Sequence, residues 1–138
     1  MNRSRFDARW APRMLSIMRV VVAFLFMEHG GVKLFNFPPA PNPAPHLPPV
    51  MLVAGALECF GGLLVLVGAL TRPVSFILAG EMAVAYFLGH APHGFWPVLN
   101  KGELAVLYCF VFLYLVAAGG GPWSVDGIWR STAHGSTL

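Results

Sequence analysis

Charge is what this sequence lacks. Only 11% of its 138 residues are Asp, Glu, Lys or Arg, whereas soluble globular domains carry about 25%. So little polarity cannot coat a water-facing surface, and with 57% hydrophobic residues the chain is not read as a soluble domain. Cysteine is scarce too: Cys59 and Cys109 form no CxxC pair and have no neighbouring cation in sequence, so they read as inert thiols. The Glu-x-x-His signature of di-iron bundles is missing, because Glu58, Glu81 and Glu103 are followed at that spacing by Gly61, Val84 and Val106. A bis-His haem site would need two ligands at matching depth; only His29 and His90 could try, and it is disfavoured. No serine triad, metalloprotease signature, nucleotide-binding glycine pattern, heptad or usable internal repeat is present.

What is there is apolar length. Residues 50 to 70, "VMLVAGALECFGGLLVLVGAL", hold a single charge, Glu58, and about 20 apolar residues suffice for a helix to cross a bilayer. Weaker runs lie at about 14–37, 73–89 and 103–119. The expectation is an all-α integral membrane four-helix bundle, with helices at about 14–37, 50–70, 73–89 and 103–119 in one domain, 14–121. A basic arm, 1–13, precedes it and a tail, 122–138, follows. Arg3, Arg5, Arg9 and Arg13 before an apolar stretch resemble a secretory signal, but Glu28, His29 and Lys33 stand where a small-residue cleavage site would be, so helix 1 is expected to be retained. The same arginines, with Arg72 and Arg130, place both termini in the cytoplasm by the positive-inside rule, as expected for a multi-pass protein of the bacterial inner membrane. The net charge of +3 is then an orientation signal and no sign of nucleic acid. The basic arm also suits anionic lipid headgroups.

Seven of the twelve prolines fall in residues 36–50, "NFPPAPNPAPHLPPV", which cannot continue a helix and forms an outer loop, centred on 38–49. The second outer connection, 89–103, carries Phe95 and Trp96, suited to a membrane interface, and Trp123 and Trp129 match them on the opposite side. His46 and His93 read as surface residues.

Depth sorts the remaining polar residues. Glu28 lies just beyond the middle of helix 1, with His29 and Lys33 further out on one face. Glu58 and Glu81 lie near the middles of helices 2 and 3, and Glu103 opens helix 4, so each helix supplies one carboxylate. An ionised side chain at mid-bilayer costs about 2.5 to 3.5 kcal/mol even on lenient scales, so these groups face inward and are paired, hydrogen-bonded or protonated. Gly55, Gly61 and Gly62 share the face of Glu58 and permit a close helix contact there. Only Glu28 has cations near it in sequence, so it is expected to be the ionised carboxylate, held by His29, Lys33 or a partner on another helix. At least one of Glu58 and Glu81 is expected to be protonated. A purely structural polar lock is the competing account of Glu28 and Glu58.

Four stretches, "HGGVKLF", "ECFGGLLVLVGALTRP", "AGEMAVAYFLGHAPHGFWPVLNKGELAVLY" and "GPWSVDG", together resemble the DoxX family of small four-helix membrane proteins, over roughly residues 18–127. The resemblance implies a four-helix bundle with both termini inside. It also implies a link to redox chemistry, through the family's association with a thiosulfate:quinone oxidoreductase and with thiol-redox and antioxidant proteins. Glu28, His29, Gly30, Lys33, Glu58, Gly61, Gly62, Glu81, His90, Asn100 and Glu103 carry over from its motifs, while the proline-rich insertion after Phe37 departs from them.

The expected function is a redox-linked membrane subunit, read as part of a quinone-linked oxidoreductase. Glu28, Glu58 and Glu81 would relay protons; His29, Lys33, His90, Asn100, Glu103 and Trp96 would line a quinone site near the outer leaflet, with Phe35 or Phe95 packing the ring. A non-catalytic anchor or assembly subunit of a larger complex or homo-oligomer is the second reading, and a proton-coupled small-molecule transporter the third. The topology is testable: a reporter fused after Leu138 should be active only in the cytoplasm and one inserted near Asn42 only outside, and the reverse pattern would invert every depth assignment.

Overall fold

The computed structural model describes residues 5–135 other than 42, 44 and 45; Arg3, Asn42 and Leu138 lie outside the described residues. Helix α1 runs from Arg5 to Phe35, α2 spans Pro49–Val67 and α3 spans Thr71–His93. Helix α4 is Glu103–Ala118 and α5 is Val125–Gly135. The described residues form helices and loops with no strand among them. Helix α1 starts at Arg5, well before the expected residue 14, because backbone hydrogen bonding carries the helix past the apolar run into a segment where Arg13 lies over the Trp10 ring, 5.5 Å from its centroid. Likewise, part of the expected C-terminal tail is the helix α5.

Helix ends follow local chemistry. Pro49 sits at the first position of α2, where a missing N–H costs nothing. Gly68, at φ +73°, ends the same helix in the left-handed conformation that glycine tolerates. Helices α1, α2 and α3 are each long and apolar enough to cross a membrane; α4 is a shorter apolar helix of 16 residues, about 24 Å at 1.5 Å per residue.

The packing is that of a protein turned outward. Phe24, Phe60, Phe76 and Phe110 are all more than half exposed on the surface, while the interior admits Arg19 at 1% and Glu58 at 2% exposure alongside Phe26, Leu78, Phe112 and Leu115. In water such a surface would drive aggregation. Against lipid it is the stable arrangement. Helices α1 and α2 run antiparallel and nearly touch. A Cβ at Gly30 would meet the Cys59 nitrogen and Gly55 oxygen at 2.7 Å, and one at Gly62 would meet the Met27 side chain at 2.6 Å. Helix α3 packs closely along α4, and Phe26 bridges the two hairpins with its ring 5.1 Å from Tyr108 and 4.8 Å from Phe112.

The early turns of α1 and the segment that leads into α5 meet at one end of the bundle, which is tied together by two side chains. Arg19 Nε donates to the Gly120 carbonyl at 2.8 Å, and its other nitrogens donate to the carbonyls of Val65 and Leu66 at 2.5 Å and of Trp123 at 2.6 Å. One guanidinium thereby satisfies carbonyls in the last turn of α2 and in the loop after α4. Asp126 does the converse at the start of α3. Leu70 there is left-handed, at φ 50°, and offers no cap of its own. The Asp126 carboxylate instead accepts the Leu70 and Thr71 N–H groups, each at 2.8 Å, while its own N–H donates to the Gly68 carbonyl at 2.9 Å.

Partial burial alone would push the Asp126 carboxyl up, but the Thr71 and Leu70 hydrogen bonds and the nearby Arg130 together hold it below its ordinary value. A depressed carboxyl adds stability that is complete above its unfolded value of about 3.9 and is lost as pH falls through the lower folded value. Asp126→Ala should therefore lower stability in detergent by about 1–2 kcal/mol near neutral pH, the range for a lost cap. The gap to wild type should close only in acid below about pH 4; melting temperatures of both proteins across pH 3 to 8 check this.

Candidate functional site

The close α1–α2 contact carries a charge pair with it. Because glycine backbones lie against one another at Gly30 and Gly55, the Lys33 ammonium reaches across and donates to Glu58 Oε1 at 2.5 Å. Glu58 sits within a π-helical turn, Leu57–Gly61, a local widening of the helix that recurs at functional positions. Its second oxygen is buried with no hydrogen-bond partner. On α3, both oxygens of Glu81 are likewise buried without a partner. The charged groups whose fields reach Glu81 are Glu58 and Lys33. Helix α4 adds Tyr108, 8% exposed, which lies in the fields of Glu28 and Glu58 and meets the His29 ring edge-on with centroids 6.0 Å apart.

All four long helices thus contribute polar groups to one region in the loop-side half of the bundle. Lys33 is the cation of the pair, Glu58 its carboxylate, and Glu81 an unsatisfied neighbour. His29 is exposed on the bundle surface and Glu28 is half-buried. Of the partners expected for Glu28, namely His29, Lys33 or a group on another helix, Lys33 is taken by Glu58. Residues five apart point about 140° away from each other around a helix of 3.6 residues per turn, so α1 aims the two side chains differently.

The other anticipated residues lie in and beside the connection between α3 and α4. His90 ends a second π-helical turn, Tyr86–His90, and its Nδ1 lies 3.0 Å from the Asn100 carbonyl. Asn100, 6% exposed, donates from Nδ2 to the Gly94 carbonyl and accepts the Gly102 N–H, both at 2.8 Å. These bonds shape the connection between α3 and α4. Glu103 is exposed in the first turn of α4, where the helix dipole favours an anion. Trp96 is exposed and packs edge-on to Phe95 at 5.1 Å. Among the described residues no three His, Cys, Asp or Glu side chains gather as metal ligands would.

Tyr108 and Arg19 were not singled out from sequence. A tyrosine within an apolar helix, four residues before Phe112, carried a usable signal, since a buried tyrosine hydroxyl seeks a polar partner. Arg19 stood out less because it follows a basic arm.

A helical bundle with a lipid-compatible exterior and buried ionisable groups defines an integral membrane protein. The DoxX family's sequence profile matches residues 14–91. A protein of Haemophilus influenzae (strain Rd) described only as uncharacterized is 42% identical over 123 residues, spanning 86% of this chain and 92% of that protein. The chain belongs to the DoxX family. No solved structure matches it.

The Lys33–Glu58 pair has a measurable signature. Lys33→Met strands a buried carboxylate and should cost about 3 kcal/mol, the low end for a broken buried pair since Lys33 keeps some exposure. Lys33→Met combined with Glu58→Gln should recover most of that loss, whereas Glu28→Gln and Glu81→Gln should unfold close to wild type. Denaturation of the purified variants in one detergent, read as a double-mutant cycle, checks the set.

Proposed function

We propose that this DoxX protein is a membrane subunit serving redox chemistry, in which the Lys33–Glu58–Glu81 cluster handles a proton beside a quinone headgroup held near the outer leaflet. The observation that carries this reading is Glu81. Both of its oxygens are buried and unsatisfied in the membrane-spanning part of the bundle, one helix away from an ion pair that itself leaves Glu58 Oε2 without a partner. A purely structural lock would gain by satisfying those oxygens; a group that takes up and releases a proton must keep them available.

The residues present fit a quinone. His29 is exposed at the bundle surface, edge-on to Tyr108, and Lys33 is partly exposed, so hydrogen-bond donors stand where a lipid-soluble carbonyl can approach. When bound, a quinone supplies a two-electron, two-proton couple, and the electrons would come from a partner protein. His29 and Lys33 orient the carbonyl, Glu58 holds Lys33 in place, and Glu81 stores a proton behind them. With the basic end of the chain cytoplasmic, in the inner membrane of a bacterium, this cluster faces the outer half of the bilayer.

A second reading, an assembly subunit without chemistry, draws on the same ion pair, because Lys33–Glu58 also fastens α1 to α2. Quinone content separates the two. Protein purified gently should retain quinone, and His29→Ala should lower its occupancy with the melting temperature unchanged; Lys33→Ala in the Glu58→Gln background should do the same. Reduction of the bound quinone should also produce an infrared carboxyl difference band that is absent in Glu81→Gln. Occupancy unchanged in both variants would favour the assembly reading.

A further inference from the structure

Helix α5, Val125–Gly135, belongs neither to the spans of the bundle nor to the quinone reading. It is fastened at its first turn. The Asp126 N–H donates to the Gly68 carbonyl at 2.9 Å, and the Asp126 carboxylate accepts the Leu70 and Thr71 N–H groups at 2.8 Å. Beyond that turn the helix is open to its surroundings: from Ile128 to Thr132 every residue is exposed, and Ile128 and Trp129 are each more than half exposed. Its residues nonetheless divide by face. Val125, Ile128, Trp129 and Thr132 recur three and four apart along one side, whereas Asp126 and Arg130 share another. Along that polar side Arg130 Nε donates to the Asp126 carbonyl at 3.2 Å.

A helix of 11 residues does not hold itself in water, since isolated helices shorter than about 12–15 residues are marginal there and most helical stability comes from covering an apolar face. The apolar side of α5 therefore needs a cover, and its position selects one. Gly68 to Thr71 is the turn that joins α2 to α3, so α5 begins where two apolar spans end. Leu70 is more than half exposed, and Leu70, Pro73 and Trp129 line one open groove, so Trp129 joins the apolar side of α5 to the lipid-facing exterior of α3. Trp123, just before α5, is more than half exposed as well. Tryptophan at the end of a span marks the headgroup region of a bilayer. The polar side holds one acid and one base, Asp126 and Arg130, so the seat of α5 is apolar rather than electrostatic. Amphipathic helices with such a face lie in the plane of the membrane, sunk about 5–10 Å into the boundary of headgroups and acyl chains.

We propose that α5 is a membrane-surface helix, lying along the bilayer with Ile128 and Trp129 inserted at the boundary of headgroups and acyl chains. Its partner is the lipid surface itself. The inference shares no residue with the quinone reading and holds whichever side of the membrane this end of the bundle faces. Full-length protein carrying Trp10→Phe, Trp96→Phe and Trp123→Phe keeps Trp129 as its one tryptophan. The test places it in phosphatidylcholine bicelles, which leave both faces of the bilayer open to solutes. Trp129 emission should be quenched more by lipid brominated high on the acyl chains than by lipid brominated near the chain ends, and it should be shielded from aqueous iodide. Adding Ile128→Glu should reverse the pattern, with quenching by brominated lipid lost and quenching by iodide gained. The melting temperature of that variant in detergent should stay that of its parent, because Ile128 is exposed and its side chain makes none of the Asp126 bonds. Quenching of Trp129 by iodide and not by lipid would overturn the assignment in favour of a water-facing helix, and shielding from both in favour of a second copy or another protein. Strongest quenching by the deep bromines, or an Ile128→Glu variant indistinguishable from its parent in quenching, would overturn it too.

Discussion

The contact of α1 with α2 along Gly30, Gly55 and Gly62 is the constraint from which the rest of the bundle follows. With no Cβ atoms between them, the two backbones come close enough for α1 to reach α2 with both of its interior cations. Lys33 meets Glu58 on the loop side, and Arg19 meets the Val65 and Leu66 carbonyls on the other. Widening the gap by one methyl group would strain both contacts at once, because the atoms opposing Gly30 are backbone atoms of α2 that cannot rotate aside. In lipid there is no water to take over either cation's hydrogen bonds. Close glycine packing and buried charge are therefore parts of a single solution.

The two ends of the bundle use their polar groups differently. At the α5 end the charged groups are paired, with Arg19 spent on four carbonyls and Asp126 on two amides, and the atoms left idle there are the hydroxyls of Thr71 and Ser75. This is how a rigid scaffold is fixed. In the loop-side half the idle atoms are carboxylate oxygens, one on Glu58 and two on Glu81, which cost more to bury than a hydroxyl. Real proteins tolerate such conflicts mainly where function requires them. Idle carboxylate oxygens, more than idle hydroxyls, direct attention to the α1–α2–α3 cluster. The π-helical turn at Glu58 fits this pattern, because it interrupts regular helix bonding at the position that carries the buried carboxylate.

Much of the site was visible in sequence as a set of residues, and little of it as a set of contacts. Glu58 and its glycine face were legible from periodicity, because a carboxylate flanked by small residues at helical spacing must lie in a helix contact. Asn100 and His90 were legible as polar residues in an outer connection but not as partners of each other and of the Gly94 and Gly102 backbone. Lys33 was legible as one of several candidate partners for Glu28, whereas the acid it meets comes from another helix 25 residues away. Arg19 and Tyr108 carried weaker signals, the first masked by the basic arm before it and the second by the aromatic residues around it.

Apolar length and the scarcity of charge determined, without any structure, that this chain forms membrane helices, because the cost of exposing backbone or charge to hydrocarbon admits few other solutions. Proline and glycine likewise determined where α2 begins and ends, since each acts on its own backbone dihedrals. Only the tertiary structure decided which charge meets which. Pairing depends on the axial register and rotation of one helix against another, and these were set by glycine contacts between segments distant in sequence. The same reason explains how Asp126, 55 and 56 residues beyond Thr71 and Leu70, caps the start of α3. A helix terminus can accept any carboxylate that the fold delivers to it, and the local sequence names only the vacancy.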